Sequence, residues 1–350
     1  MIKKLIFASA LITSQALASD LTIVSWGGAY EKAQAESMHK PWMNKSNKSI
    51  ISESYNGGLS EIKSQVESGN VFWDLVDLDE SDALLGCDEG ILEPIDSNMF
   101  GNAKNDFIKG SITECGIGTI VYSTVIAFNK DAFGLEKPDN MNDLFDLTNY
   151  PGMRGLRKTP KFNLEFALIA DGVPAQEVYN VLSTETGVDR AFAKLDSIKN
   201  SIVWFESGSQ PVQMLADGEI VMTTSYNGRV SDAIIVDNKP FEIIWDGQIY
   251  DMSMWGIPKG SKNKQNALDF ILFSTEAERL AELSTYYTVG SVRKSSANTV
   301  GKHYVNKEVD LNDHLPTSTK NFKNAIKNNA DWWADHQDEM NERFNKWLNS

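Results

Sequence analysis

The chain has 350 residues, of which 41% are hydrophobic and 23% are charged, so a mostly disordered protein is excluded. Its length exceeds that of one ordinary core and predicts two domains of roughly 150 residues each. The 48 acidic residues outnumber the 33 basic ones and give a net charge of −15. This charge argues against nucleic-acid binding, which needs a basic surface to neutralise phosphates.

The N-terminus has the pattern of a secretory signal peptide. Lys3 and Lys4 precede an apolar run over residues 5–12, and a motif of small residues ends at Ala18. The apolar run is much shorter than the roughly 20 residues that a membrane span needs. We therefore expect residues 1–19 to be a signal peptide, removed near Ala18 or Ser19, and the protein to be exported.

Strands and helices alternate after this leader. The predicted strands of the first part cover residues 20–25, 49–55 and 72–78, and the helices cover residues 30–45, a stretch with Leu59, Ile62 and Val66, and residues from 81 onward. Short joins that contain glycine indicate a mostly parallel sheet with helices on both faces. In such sheets ligands bind at the carboxyl ends of strands. Trp26, Asp79 and Glu80 each follow a strand and are therefore candidate site residues.

The stretch over residues 116–129 is rich in β-formers and longer than the usual strand of about six residues. It predicts a strand that leaves one lobe and enters another. The second series has predicted strands at 154–159, 202–205, 219–226, 241–245 and 252–257, and helices at 163–171, 188–200, 210–217, 266–283, 319–328 and 330–348. We expect lobe 1 to comprise residues 20–123 plus 248–297, and lobe 2 residues 124–247 plus 298–350.

The two cysteines, Cys87 and Cys115, are expected to pair, because an oxidising compartment favours a disulfide. Two free buried thiols remain the alternative. The four histidines are scattered without metal-ligand spacing, so we predict no metal site. The sequence also lacks Gly-x-Ser-x-Gly and a Walker-type loop, so neither an enzyme nor a bound cofactor is predicted. A periplasmic hydrolase is the remote alternative.

Several motifs occur in an order that resembles one family. They are Ser25-Trp-Gly-Gly-Ala-Tyr30, Gly90-Ile-Leu-Glu-Pro-Ile-Asp96, the crossing stretch 118–129, Leu215-Ala-Asp-Gly-Glu-Ile-Val-Met222 before Tyr226-Asn-Gly228, and Ile257-Pro-Lys259. With them the chain resembles the periplasmic solute-binding proteins of ABC importers, specifically the spermidine/putrescine-binding group and its opine-binding relatives. The resemblance implies a type II fold of two α/β lobes joined by two crossing strands. It also implies a solute in the cleft and delivery to permease subunits in the inner membrane by a monomer.

The same resemblance implies residues that would hold a polyamine such as putrescine or spermidine. Trp26 and Tyr226 match aromatic walls for the alkyl chain, where buried methylenes and an ammonium over a ring are favourable. The ammonium groups need carboxylates. The candidate carboxylates are those of Asp79 and Glu80, which follow a predicted strand, and that of Asp251. Ser253 stands where the family has an acid, and Tyr287 lies near another expected contact.

Basic residues stand where the polyamine binders carry acids. Arg157 and Lys161 lie in one such segment, Arg229 follows Tyr226-Asn-Gly228, and Arg293 lies near another expected contact. Arginine forms bidentate pairs with carboxylates. The alternative hypothesis is therefore a solute that carries a carboxylate, such as an opine, an amino acid or an organic acid, bound by Arg157, Arg229 and Arg293.

Overall fold

The computed structural model describes residues 21–297 and 299–350. The predicted signal peptide, residues 1–19, lies outside the described residues. The described strands are Leu21–Ser25 (β1), Ile50–Ser54 (β2), Leu75–Asp79 (β3), Ile117–Asn129 (β4), Arg154–Arg157 (β5), Ile202–Phe205 (β6), Met222–Tyr226 (β7), Phe241–Gly256 (β8), Gly290–Ser291 (β9) and Ile326–Lys327 (β10).

Helices connect most of these strands. They are Gly28–Gln34 (α1), Lys40–Ser46 (α2), Ser60–Ser68 (α3), Glu80–Asp88 (α4), Asn163–Ala170 (α5), Val178–Leu182 (α6), Glu185–Asp196 (α7), Gln210–Ala216 (α8), Asn227–Ile235 (α9), Lys264–Ser274 (α10), Ala277–Tyr286 (α11), Lys294–Ala297 (α12) and Ala330–Leu348 (α13). A π-helical turn over Ala35–His39 joins α1 to α2. Within the described ranges, no helix is both long and apolar enough to span a membrane.

The strands form one mixed sheet in the order β2-β1-β3-β8-β4-β7-β5-β6, with β10 beside β8 and β9 beside β4. Strands β1, β2 and β3 are parallel, and so are β5, β6 and β7. The long strands β4 and β8 are antiparallel to each other and separate these two groups. Because β3 pairs antiparallel with β8 and β7 with β4, the carboxyl ends of β3 and β7 approach each other near the middle of β4.

Two strands cross between the halves of the sheet, as the sequence predicted. Strand β4 has 13 residues and β8 has 16. The end of β8 near Gly256 pairs with β3, whereas its start at Phe241 pairs with the end of β4. The segments 241–245 and 252–257, predicted as two strands, thus belong to one. The pairing between β4 and β8 shifts register twice, between Gly118 and Ile120 and between Thr124 and Ile126.

The buried apolar residues form separate clusters on the two sides of this crossing. One cluster includes Leu21, Ile23 and Trp255, and another includes Phe128 and Phe166. The C-terminal helix α13 contributes Trp332 and Trp333 to the second cluster. The exact lobe boundaries, residues 20–123 plus 248–297 and 124–247 plus 298–350, stay a prediction.

Two predicted helices differ in the structure. The helix expected over 266–283 is two helices, because Glu276 is extended and the Thr275 hydroxyl donates back to the Ile271 carbonyl. The helix expected over 319–328 is a series of turns that ends in β10. There the buried Asn321 side chain donates to the carbonyl oxygens of Asn312, Asp313 and Leu315. Such bonds compete with the helical ladder for the local backbone.

The predicted disulfide between Cys87 and Cys115 is confirmed, with Cα atoms 5.6 Å apart. It joins the end of α4 to the chain just before β4. The bond closes a loop with a sequence separation of 28 residues. It therefore links α4 covalently to the segment that leads into the crossing strand β4.

Replacing both cysteines with serine is expected to lower the free energy of unfolding by about 3–4 kcal/mol, because the unfolded chain regains the entropy of an open loop of this length. Urea denaturation of the oxidised protein and the variant measures the difference. Dithiothreitol should destabilise the parent protein by a similar amount and leave the double variant unaffected. An equal unfolding midpoint for parent and variant would contradict this role.

Candidate functional site

A cavity lies where the carboxyl ends of β1 and β3 face those of β5 and β7. About 520 Å³ of space, part of it open to solvent, lies between thirteen described residues. Six of the residues named from the sequence as ligand contacts are among them: Trp26, Asp79, Tyr226, Arg229, Ser253 and Tyr287. Arg157, named for the alternative hypothesis, is a seventh. Their roles in binding stay predictions.

Aromatic rings form the walls of this cavity. The Trp26 ring lies 5.1 Å from that of Tyr55, and the Tyr122 ring lies 5.6 Å from that of Tyr226, measured between centroids. A Cβ atom on Gly57, whose φ is +90°, would lie 2.8 Å from the Trp26 ring. Glycine at this position therefore allows both the turn after β2 and the close approach of the indole.

Arg157 enters the cavity from the end of β5. One terminal nitrogen, Nη1, donates to the Tyr226 hydroxyl, and Nη2 donates to the Asn56 carbonyl at 2.8 Å. Asn56 lies beyond β2, so this contact joins the two halves of the sheet. Burial alone would lower the pKa of Arg157, but Tyr226 and Asp79 nearby raise it above its usual value, so the guanidinium stays charged.

Arg229 enters the cavity from the first turn of α9. Its Nη2 donates to the Trp26 carbonyl at 2.8 Å and to the Gly27 carbonyl at 3.4 Å. The residue is 7% exposed. Within residues 21–297 and 299–350, neither Arg229 nor Arg157 lies within 4.0 Å of a carboxylate oxygen. Two buried or half-buried cations thus face the cavity with carbonyl and hydroxyl partners alone.

Asp79 is the one acid among the described lining residues, and it is already paired. Its Oδ1 accepts a hydrogen bond of 2.7 Å from the Tyr122 hydroxyl, and its Oδ2 lies 3.3 Å from Lys161 Nζ. Burial alone would raise the pKa of Asp79, but the Lys161 ammonium and the Tyr122 hydroxyl lower it below its usual value. The carboxylate therefore stays ionised and compensated within the protein.

Asp251 and Glu80, predicted to hold ammonium groups, lie outside the cavity lining. The Asp251 carboxylate is buried and accepts hydrogen bonds from Asn328 Nδ2 and Tyr122. Burial raises its pKa despite the nearby Lys161 ammonium. Glu80 lies 3.5 Å from Lys327 Nζ, and burial raises its pKa to about 7.

Arg293, predicted as a third carboxylate contact, also lies outside the lining. Its Nε donates to Asp106 Oδ2 at 2.7 Å, and its Nη1 donates to the Thr275 carbonyl at 3.0 Å. It therefore caps the end of α10 and holds the loop before β4. No group of three or more His, Cys, Asp and Glu side chains in the described ranges could hold a metal ion.

Six lining residues were not named from the sequence: Tyr30, Tyr55, Asn56, Ile120, Tyr122 and Gly208. Tyr55 and Asn56 directly follow β2, so the strand-end argument that identified Trp26 could have found them. Tyr122 and Ile120 lie in the middle of β4, where the sequence shows a continuous apolar strand. Their contact with the cavity depends on where β4 passes between the two halves.

Residues 48–317 match the family model described as bacterial extracellular solute-binding protein. The chain belongs to this family. The solute-binding protein is 38% identical to the gamma-aminobutyric acid-binding protein of Pseudomonas aeruginosa, over 98% of this chain and 94% of that protein. The match covers the whole set of cavity residues described above.

Solved structures agree with this assignment. The crystal structure of the PBP MotA from A. tumefaciens B6 in complex with glucopine is 28% identical, with a TM-score of 0.87 over 94% of this chain and all of that chain. The structure of the Atu4243-GABA receptor is 30% identical, with a TM-score of 0.80 over 94% and 98% of the chains. The predicted type II periplasmic binding fold is confirmed.

The solute-binding protein is thus the substrate-binding component of an ABC transporter and not an enzyme. Such components bind a small molecule and deliver it to the permease, and membership of this family implies a periplasmic location. The predicted family and transporter class are confirmed. The nature of the solute then depends on the charged groups of the cavity.

Proposed function

We propose that this solute-binding protein captures a small solute with a carboxylate, an ω-amino acid such as γ-aminobutyric acid, and delivers it as a monomer to its permease. The observation that carries the proposal is the pair Arg157 and Arg229. Both side chains line the cavity, and neither has a carboxylate partner among the described residues. A solute carboxylate would supply the missing negative charge through charge-assisted hydrogen bonds.

The two arginines also link solute binding to closure. Arg157 contacts the Asn56 carbonyl and Arg229 contacts the Trp26 carbonyl, so each reaches from the second half of the sheet to the first. A carboxylate bound to both guanidinium groups would add attraction between the halves. A ligand that contacts both halves favours the closed arrangement because it binds that state more tightly.

The aromatic walls suit the remainder of an amino acid. Trp26 and Tyr55 offer ring faces for methylene groups and for an ammonium. The Asp79 carboxylate lines the same cavity, and beside its contacts with Tyr122 and Lys161 it keeps lone pairs that can accept a hydrogen bond from a solute. One acid and two arginines match a zwitterion with one carboxylate more closely than a polyamine, whose two or more ammonium groups need several free carboxylates.

Similarity supports the same solute class. One relative, 38% identical, is named for γ-aminobutyric acid, and one structural neighbour is described as a GABA receptor. Another neighbour holds glucopine, an opine. An opine is the second candidate, because the arginine pair would accept its carboxylate equally well.

A thermal-shift screen tests the proposal. We would measure unfolding with γ-aminobutyric acid, glucopine, putrescine and two analogues that each keep one charged group, butyrate and butylamine. A solute at 100 times its dissociation constant stabilises the folded state by about 2.7 kcal/mol. We expect γ-aminobutyric acid to raise the melting temperature most and butyrate to retain more of the effect than butylamine. Stabilisation by putrescine and butylamine, with none by the carboxylates, would contradict the proposal.

Trp26→Ala is expected to weaken binding of γ-aminobutyric acid about tenfold, because the solute loses a ring face worth about 1–2 kcal/mol. Titration calorimetry measures the affinity. Phe72→Ala is the matched control, since Phe72 is 50% exposed and does not line the cavity. An affinity of Trp26→Ala equal to that of the parent protein would show that this ring does not contact the solute.

A further inference from the structure

Lys161 lines a second cavity that adjoins the first and shares Asp79 with it, and its ammonium pairs with that acid. Lys161 Nζ lies 3.3 Å from Asp79 Oδ2 and 3.3 Å from Asp251 Oδ2, and it donates to Ser81 Oγ at 2.9 Å. Its side chain is 12% exposed. The lysine belongs to the loop between β5 and α5, whereas its three partners belong to β3, α4 and β8.

The two carboxylates form one buried acidic pair. Both accept a hydrogen bond from the same Tyr122 hydroxyl, Asp79 at 2.7 Å and Asp251 at 3.3 Å. The Asp251 side chain is fully buried and that of Asp79 is 16% exposed. Two largely buried carboxylates that share one hydroxyl donor need a cation beside them if both are to be ionised. In the structure that cation is a primary ammonium from the chain itself.

We propose that Lys161 determines solute specificity by acting as a built-in ammonium, which occupies the position where a second ammonium group of a solute would otherwise pair with Asp79. The inference deepens the proposed function, on which it rests, by naming the residue that excludes diamines. Asp79 faces both the cavity and Lys161, so a solute ammonium contacts its carboxylate in addition to the lysine and not in its place. Removing the lysine side chain would leave the carboxylate free and open space beside it.

Lys161→Ala tests this idea with two amine probes, putrescine and propylammonium. We expect the variant to bind putrescine at least tenfold more tightly than the parent protein. We also expect propylammonium to raise the melting temperature of the variant, because the probe replaces the deleted ammonium. This effect should saturate as the concentration of propylammonium increases. Lys158→Ala is the matched control, since Lys158 lies in the same loop, is 46% exposed at its side chain and pairs with Glu206. It should leave the response to both amines unchanged.

A second variant keeps the inference testable if Lys161→Ala alone does not fold. Lys161→Ala combined with Asp251→Asn removes one positive and one negative charge, so the buried site keeps its net charge. It should still bind putrescine more tightly than the parent through Asp79. If Lys161→Ala is unfolded alone, propylammonium should restore its folded circular-dichroism spectrum.

The outcomes separate this inference from the proposed function. Variants that respond to neither amine, whether folded or unfolded, overturn the role of Lys161. The binding of γ-aminobutyric acid to the parent protein is measured in the same experiment, and its absence would contradict the proposed solute instead. A gain in amine binding by Lys161→Ala supports the built-in ammonium in either case.

Discussion

Arg229→Met should weaken binding of γ-aminobutyric acid by at least about 30-fold, because truncating one partner of a buried charge pair costs about 2–5 kcal/mol. Methionine keeps much of the apolar length of the side chain and removes the guanidinium. The donors to the Trp26 and Gly27 carbonyl oxygens are lost together with the contact to the solute. Titration calorimetry measures the affinity, and circular dichroism establishes that the variant is folded.

Two further substitutions make this test specific. Arg229→Lys retains the charge but loses the planar set of donors, so we expect an affinity between those of the parent and Arg229→Met. Arg343→Met removes a partly exposed guanidinium on α13 that pairs with Asp189 on α7, far from the cavity, and should leave binding unchanged. An affinity within threefold of the parent for Arg229→Met would place the solute carboxylate elsewhere.

Arg154→Met should be the most destabilising single substitution considered, with a loss of at least about 3 kcal/mol in the free energy of unfolding. Arg154 is fully buried at the start of β5, and burial lowers its pKa only to about 10, so it stays charged. Its guanidinium donates to four carbonyl oxygens in the preceding loop, those of Leu144, Asp146, Tyr150 and Gly152. Methionine fills the space but removes the donors to all four carbonyl oxygens, of which, within the described part of the chain, that of Asp146 alone keeps a bond, from the Tyr150 N–H.

The same substitution should also weaken solute binding, because Arg154 holds the start of the four-residue strand that ends at Arg157. Urea denaturation measures the stability, and calorimetry below the unfolding transition measures the affinity. Arg190→Met is the control, since Arg190 is exposed and pairs with Asp171 at the surface. Equal unfolding midpoints for Arg154→Met and Arg190→Met would contradict the structural role of the buried guanidinium.

The strand ends that carry the site were predictable from local pattern. Trp26 follows a run of β-branched residues and precedes two glycines, and Asp79 ends a short apolar run, so both lie at strand ends whatever the rest of the chain does. The over-long β4 was likewise visible as a continuous run of β-formers. These features depend on neighbours in sequence, which is why periodicity and turn residues were sufficient to predict them.

The long-range pairing of charges was not predictable in this way. Asp79, Glu80 and Asp251 were equivalent candidates in the sequence, but Lys161 pairs with two of them and Lys327 with the third. Arg157, Arg229 and Arg293 were also equivalent, yet Arg293 pairs with Asp106 and the other two face the cavity. Each pairing joins residues that are far apart in the chain.

The sequence by itself determined the family, the alternation of strands and helices, the crossing strand and the aromatic residues at the strand ends. The tertiary structure alone decided which charges remain available to a solute. Lys161 reaches Asp79 across 82 residues and Arg229 reaches Trp26 across 203. Whether a buried charge is compensated depends on what lies within a few ångströms of it, and that distance is set by how the two halves of the sheet face each other.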